Sequence, residues 1–165
     1  MVESKPAVRY FLPDERLLVS IGNIDYSGLR QDEKYAEYGD LPEVRDDIQL
    51  MERGLKGYGL NRADIMKEQD ADYDTMKDMI DGAGHKINTN HARGLKTLVI
   101  IHYGGHGVMF GNVTHAVVND PHKPIYPIET MCRALSKIEA GYVIALLDCC
   151  RARCEQEKFR GGPSP

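Results

Sequence analysis

Two short stretches carry side chains that could do covalent chemistry. One is "YGGHG", residues 103–107, where His106 is bracketed by glycines. The other is "LLDCCRARC", residues 146–154, where Asp148 precedes the adjacent thiols Cys149 and Cys150, with Cys154 beyond two arginines. A cysteine nucleophile needs a base to take its proton, or a partner that stabilises the thiolate. Imidazole suits that task because it titrates near neutrality. The same residues also fit plainer roles: His106 as a turn-capping group, and the cysteines as small buried hydrophobes, disulfide partners or metal ligands. Disulfides are disfavoured. The opening "MVESKPAVRYFLPDERLL" has no apolar leader core, and in a reducing compartment thiols stay free. A zinc site is disfavoured as well, because the cysteines do not show the CxxC spacing of structural zinc ligands.

The elements that must position these groups follow from apolar patterning. "RLLVSIG", residues 16–22, reads as a buried strand stopped by glycine. In the next segment Leu41, Val44, Ile48, Met51 and Leu55 recur at steps of three and four, as on an amphipathic helix that Gly57 and Gly59 would end. "ADIMKEQD" is a weak second strand. "DYDTMKDMIDGAGHKI" is a second helix, with Asp72 or Asp74 as N-cap and Met76, Met79, Ile80 and Ile87 as its apolar stripe; Gly82 and Gly84 weaken its later turns. "TLVIIHY", residues 97–103, is apolar on both faces, as a strand buried in a parallel sheet would be. "VTHAVVND" suggests a short strand, half of a hairpin with the segment before it. "IETMCRALSKIEA" is a third helix with Cys132 on its apolar side. "YVIALLD", residues 142–148, reads as a further fully buried strand. Strands alternating with helices imply an α/β fold with a mostly parallel sheet and helices on both faces.

In such sheets, sites form just beyond the carboxyl ends of the strands. His106 leaves "TLVIIHY" and Cys150 leaves "YVIALLD", so the two strongest strands deliver a base and a thiol to one end of the sheet. Glycines at 104, 105 and 107 let the backbone approach a ligand closely, and the N–H of Gly107 can face a developing oxyanion. An α/β-hydrolase reading, with "GGHG" as the oxyanion loop, fails for want of a GxSxG elbow.

The bulk numbers narrow the classes. The 165 residues fit one compact domain that buries roughly 70% of the surface its unfolded chain exposes. Lys plus Arg is 21 against 25 Asp plus Glu, and a net charge of −4 argues against a general nucleic-acid binder, which needs a basic face. No stretch reaches the ~18 consecutive apolar residues of a membrane span. Without a secretion signal the expected location is the cytoplasm. Residues 1–14 read as a lead-in, 15–154 as the domain, and 155–165 as a linker or frayed tail.

The chain resembles the caspase-like cysteine peptidases, most of all the paracaspases and metacaspases. "LLVSIGNIDY" is similar to the family's first strand and loop, "LPEVRDDIQLM" to its first helix, "YGGHG" to its histidine loop and "LLDCCRAR" to its nucleophile loop. The separation of His106 and Cys150 is close to the ~50 residues given for caspases. The resemblance implies His106 as catalytic histidine, Cys150 as nucleophile with Cys149 as a buried spacer, and the backbone N–H groups of Gly107 and Cys150 as oxyanion donors. Cys132 and Cys154 match no functional position and read as packing and loop residues.

It also implies a substrate preference. Caspases hold aspartate with arginines, whereas paracaspases and metacaspases hold arginine or lysine with carboxylates. Asp148 stands where caspases carry glutamine, and Asp47 aligns with the acidic first-helix residue of the basic-specific branch, with Asp46 as the alternative. Two convergent carboxylates suit a guanidinium, whose planar fork binds bidentately. The expected partner is therefore a protein or peptide with Arg or Lys before the scissile bond. The residues call for no cofactor, and calcium dependence, known in many metacaspases, is not legible in them. The resemblance further implies strands beyond the nucleophile, expected from a small-subunit chain, with a stand-alone large subunit as the alternative and dimerisation left open. Such a sheet would expose a hydrophobic edge. "FRGGPSP" fits an intersubunit linker, with Arg160–Gly161 as a weak self-cleavage site. The competing reading is a non-catalytic caspase-like module that binds a partner through that edge.

Overall fold

The computed structural model describes residues 12–60, 62–153 and 159. The first strand, β1 (Glu15–Gly22), leads through a long loop into helix α1 (Val44–Lys56) and then strand β2 (Ile65–Gln69). Helix α2 (Tyr73–Ala92) leads to β3 (Thr97–Gly104), after which β4 (Gly107–Phe110) and β5 (Val113–Val117) form a hairpin. Then come β6 (Ile125–Tyr126), α3 (Ile128–Leu135), β7 (Gly141–Asp148) and β8 (Ala152–Arg153).

The main sheet has the order β2-β1-β3-β7, and all its pairs are parallel. Parallel pairing follows from the crossovers, since each return to the same end of the sheet passes through a helix. A second, small sheet has the order β6-β5-β4-β8. It caps the carboxyl end of the first and was expected only as a hairpin.

One face of the main sheet carries the large core. There Leu17, Val19, Ile21, Val99 and Ile101 pack with Met76, Ile80 and Ile87 of α2 and with Cys132 and Leu135 of α3. The other face carries α1 over a smaller cluster of Leu18, Leu60 and Ile100. The α1 helix sits low on the sheet because β1 ends in Gly22, where a Cβ would lie 2.4 Å from Ile48 Cδ1 and 2.9 Å from Val44 Cγ1. Its N-terminal turns thereby overhang the carboxyl ends of β1 and β3.

The second helix runs uninterrupted through both glycines that weakened its later turns in the sequence. Tertiary packing overrides propensity here. A Cβ at Gly84 would stand 3.2 Å from Leu135 Cδ2, and one at Gly82 3.2 Å from Met66 Cε, so these residues let α3 and β2 come close. Asp72 is the N-cap, its carboxylate accepting the Thr75 N–H at 2.7 Å.

One expectation is overturned. The "YVIALLD" strand is not fully buried. Its inner residues Val143 and Leu147 pack on the large core, but Tyr142, Ile144 and Leu146 are 41%, 47% and 41% exposed. The reason is position: β7 is an edge strand, and α1 covers β1 and β3 without extending across it. Apolar character on both faces therefore marks an uncovered face rather than a covered one.

Most of the residues read as a lead-in and all of those read as a tail but Phe159 lie outside the described residues, as do Cys154, Arg160 and Gly161. Phe159 itself packs against Tyr35, Tyr38 and Phe110, with ring centroids 5.5, 6.5 and 5.5 Å away. No described helix is long and apolar enough to cross a membrane.

Candidate active site

The registers of the main sheet bring the two chemical loops side by side. Gly104, the last residue of β3, pairs with Asp148, the last of β7. His106 and Cys150 each follow two residues later. Three further features stitch the loops together. The N–H of Gly105 donates to the carbonyl of Asp148 at 3.2 Å. The Gly107 α-carbon packs against the cysteines so closely that a Cβ would lie 2.6 Å from Cys149 Sγ and 2.7 Å from the Cys150 carbonyl oxygen. Finally, β8 pairs with β4, placing the chain after Cys150 beside the chain after His106.

His106 is held at both its main chain and its ring. Its N–H donates to the hydroxyl of Tyr26 at 2.9 Å. Its carbonyl accepts from the hydroxyl of Tyr103 at 2.8 Å, which also lies 3.0 Å from the Val117 carbonyl. Burial pushes the Tyr26 phenol up to about 12 and the Tyr103 phenol well above its ordinary value, so both stay neutral hydroxyls at any ordinary pH. The imidazole Nε2 lies 2.8 Å from the carbonyl oxygen of Gly39. A carbonyl only accepts, so Nε2 carries a proton, and in the neutral ring the unprotonated nitrogen is then Nδ1. Tyr26 and Tyr38 meet the ring edge-on, with centroids 4.7 and 5.2 Å away.

The cysteines differ. Cys149 is half-buried and packs on the large core, and that burial pushes its thiol up to about 11. Cys132 is buried on α3 and its thiol is likewise pushed to about 11. Thiols so placed stay protonated near neutrality and behave as packing groups. Cys150 is exposed at the mouth of the site.

A crevice of ≈ 380 Å³ is lined by Leu41, Glu43, Val44, Asp47, Gly105, His106, Asp148, Cys149 and Cys150. Four of the singled-out side chains, His106, Cys150, Asp47 and Asp148, therefore share one depression. Asp46 is exposed and does not line it. Gly107 contributes the close backbone approach just described. The lining holds three carboxylates and no Lys or Arg among the described residues, so the crevice is electronegative. The field reaches inward: Asp148 and Asp47 both act to raise buried His102, though desolvation outweighs them and its imidazole is lowered.

Several contributors were not evident in the sequence. Glu43 adds a carboxylate one helical turn before Asp47, and that spacing was a usable signal. Tyr26, Tyr35 and Tyr38 are buried in a loop that has no apolar period. The Gly39 carbonyl is a backbone group, and side-chain chemistry gives no hint of it. Among the described residues no group of three or more His, Cys, Asp or Glu side chains is placed to hold a metal.

Comparison with known proteins adds one finding. A family model described as the caspase domain matches residues 16–164. No curated protein matches the chain.

Proposed function

The chain belongs to the caspase domain family of cysteine peptidases, and from that premise we propose that it cleaves peptide bonds after arginine or lysine with a His106–Cys150 dyad. The observation that carries this reading is the shared crevice, where an imidazole, an exposed thiol and the carboxylates Asp47 and Asp148 line one depression. The acidic lining supports a preference for basic residues, as in paracaspases and metacaspases, over one for aspartate.

The chemistry follows from the residues. With Nε2–H engaged by Gly39, Nδ1 is the free base that takes the Cys150 proton. The thiolate attacks the scissile carbonyl, and the backbone N–H groups of Gly107 and Cys150 receive the oxyanion. The imidazolium then returns its proton to the leaving amine, and water attacks the thioester. Asp47 and Asp148, with Glu43 beside them, complement a guanidinium or ammonium and repel an aspartate.

Fluorogenic peptides ending in Arg, Lys or Asp test the reading directly. Cleavage is expected after Arg and Lys but not Asp. Cys150→Ala should cost roughly 10⁴-fold or more. Cys149→Ala should keep cleavage, at about 1 kcal/mol of stability. Asp148→Ala should lower kcat/KM on the Arg peptide by roughly ten- to a hundredfold while the melting temperature holds. Preference for Asp, or full activity in Cys150→Ala, would refute it.

The exposed outer face of β7, bearing Tyr142, Ile144 and Leu146, supports a small-subunit partner that extends the sheet and covers these residues. The same face favours the second reading, an interaction module without catalysis. A chain that binds a partner there and cleaves none of the peptides, alone or in the complex, would decide for that reading.

A further inference from the structure

The loop between β1 and α1 is tied by one guanidinium. Arg30 sits in a short 3-10 turn, Leu29–Gln31. Its Nη1 donates to Asp40 Oδ1 at 2.7 Å and to the Tyr38 carbonyl at 2.9 Å, and its Nη2 donates to Asp40 Oδ2 at 3.2 Å. Asp40 Oδ1 also accepts the N–H of Tyr26 at 3.0 Å, so the same carboxylate grips the tyrosine that holds the His106 main chain.

Gly39 is the single residue between those two anchor points, and its carbonyl receives His106 Nε2–H. Gly39 itself is loosely held, while its neighbours are also tied by the Tyr38 N–H to the Tyr35 carbonyl at 3.1 Å and by the Leu41 N–H to the Ile24 carbonyl at 2.9 Å. Gly39 is exposed, a Cβ there would meet nothing within 4 Å, and its own N–H closes only a local turn to Glu37 at 3.1 Å. The direction of the carbonyl is therefore set from its two flanks, both of which Arg30 holds.

We propose that Arg30 is a positioning residue which, with Asp40, clamps the Gly39 carbonyl and so dictates which nitrogen of His106 faces Cys150. This rests on the reading of His106 as the base for Cys150. A bidentate fork resists rotation in a way a lysine point charge does not. If the carbonyl swings away, the preference for Nε2–H lapses, and the ring can offer a protonated nitrogen to the thiol. A misplacement of about 1 Å in a reacting group is enough to cost ~10²-fold. The pair is partly exposed, with 30% and 50% of the two side chains accessible, so its worth to global stability is small. Geometry and stability can thus be separated by experiment.

The test uses the full chain labelled for side-chain NMR of histidine, at a pH above the imidazole titration range. In the wild type His106 should be the Nε2–H tautomer. Arg30→Ala should give a tautomer mixture, and Arg30→Lys a smaller shift in the same direction, with the melting temperature nearly unchanged. On Arg peptides, kcat should fall roughly ten- to a hundredfold with KM little altered, as for other partners that orient a reactive group from behind. The isosteric Asp40→Asn should reproduce the shift and serves if Arg30→Ala fails to fold. A His106 that stays Nε2–H in both Arg30→Ala and Asp40→Asn would overturn the clamp, as would a kcat loss that only tracks lost folded protein. A tautomer shift in a chain that cleaves no peptide, alone or in complex with a partner on β7, would uphold the clamp and sink the peptidase reading instead.

Discussion

His106 leaves β3, which has hydrogen-bonded neighbours on both sides, β1 and β7. Cys150 leaves β7, which among the described residues pairs with β3 alone. The histidine is gripped by two buried tyrosine hydroxyls and a backbone carbonyl, inside a wall of tyrosine rings. The cysteine stands exposed on a loop supported from one side only, by Gly105, Gly107 and the β4–β8 pairing. If His106 is the proposed base, its tautomer needs a fixed ring, and this chain's own interior supplies one. If Cys150 is the proposed nucleophile, its loop on an edge strand would take further support from a partner on that edge. Binding events on the outer face of β7 should therefore act on the thiol and leave the imidazole where it is.

The sharpest way to break this contrast is to damage the built side. Gly105 has φ +150°, and a Cβ there would lie 2.7 Å from the Tyr103 hydroxyl and 2.8 Å from that of Tyr26. Gly105→Ala combines backbone strain with overpacking of two buried rings and should cost roughly 2–4 kcal/mol in denaturant unfolding. Gly111 has φ +60° in the β4–β5 turn, but a Cβ there meets nothing within 4 Å. Gly111→Ala should cost only about 1 kcal/mol, from strain alone. Equal losses at the two positions would mean that the tyrosine wall around His106 is not rigid.

A smaller effect probes the boundary between the two sides. His102 lies on β3 facing α1, paired in register with exposed Leu146, and its Nδ1 is 3.0 Å from Ser20 Oγ. Desolvation lowers its imidazole below the ordinary 6.5, against the opposing pull of Asp148 and Asp47. Between the lowered value and 6.5 the unfolded chain binds more protons than the folded one. Stability should therefore fall as pH drops through that window and level off below it. His102→Asn should remove this limb from the pH–stability curve. A wild-type curve that instead rises on acidification relative to His102→Asn would show that the imidazole gains its charge on folding.

Much of the fold was legible because its strands and helices carry clean periods. "TLVIIHY" and the Val44–Ile48–Met51 stripe read as they fold, since burial on two faces or on one face leaves a direct mark on residue type. The burial of "YVIALLD" misread for the same reason: apolar residues signal a face that wants covering, and sequence alone does not tell whether this chain covers it. The proximity of the two chemical loops was legible because parallel strands deliver their carboxyl ends to one side. What holds His106 was not. A glycine carbonyl, an arginine fork nine residues before it and two tyrosines in an aperiodic loop leave no pattern, because backbone acceptors have no side-chain signature and long-range hydrogen bonds no fixed spacing.

The smallest effect on the isolated chain is expected on the open side. Ile144 is 47% exposed on the outer face of β7, while its neighbour Val143 points into the large core. Ile144→Lys removes little buried area, so unfolding should shift by less than about 0.5 kcal/mol. Val143→Ala, on the opposite face of the same strand, should cost about 1 kcal/mol by leaving a gap in the core. Where the two should part company is association. A lysine on an edge strand opposes strand addition, so Ile144→Lys should weaken any self-association or partner capture seen by sedimentation, and Val143→Ala should not. His106 should keep its Nε2–H tautomer in both, since neither residue touches the Tyr26, Tyr103 and Gly39 contacts. If Ile144→Lys instead destabilises the lone chain as much as Val143→Ala, the outer face is already covered. The contrast between a completed histidine side and an open cysteine side then fails.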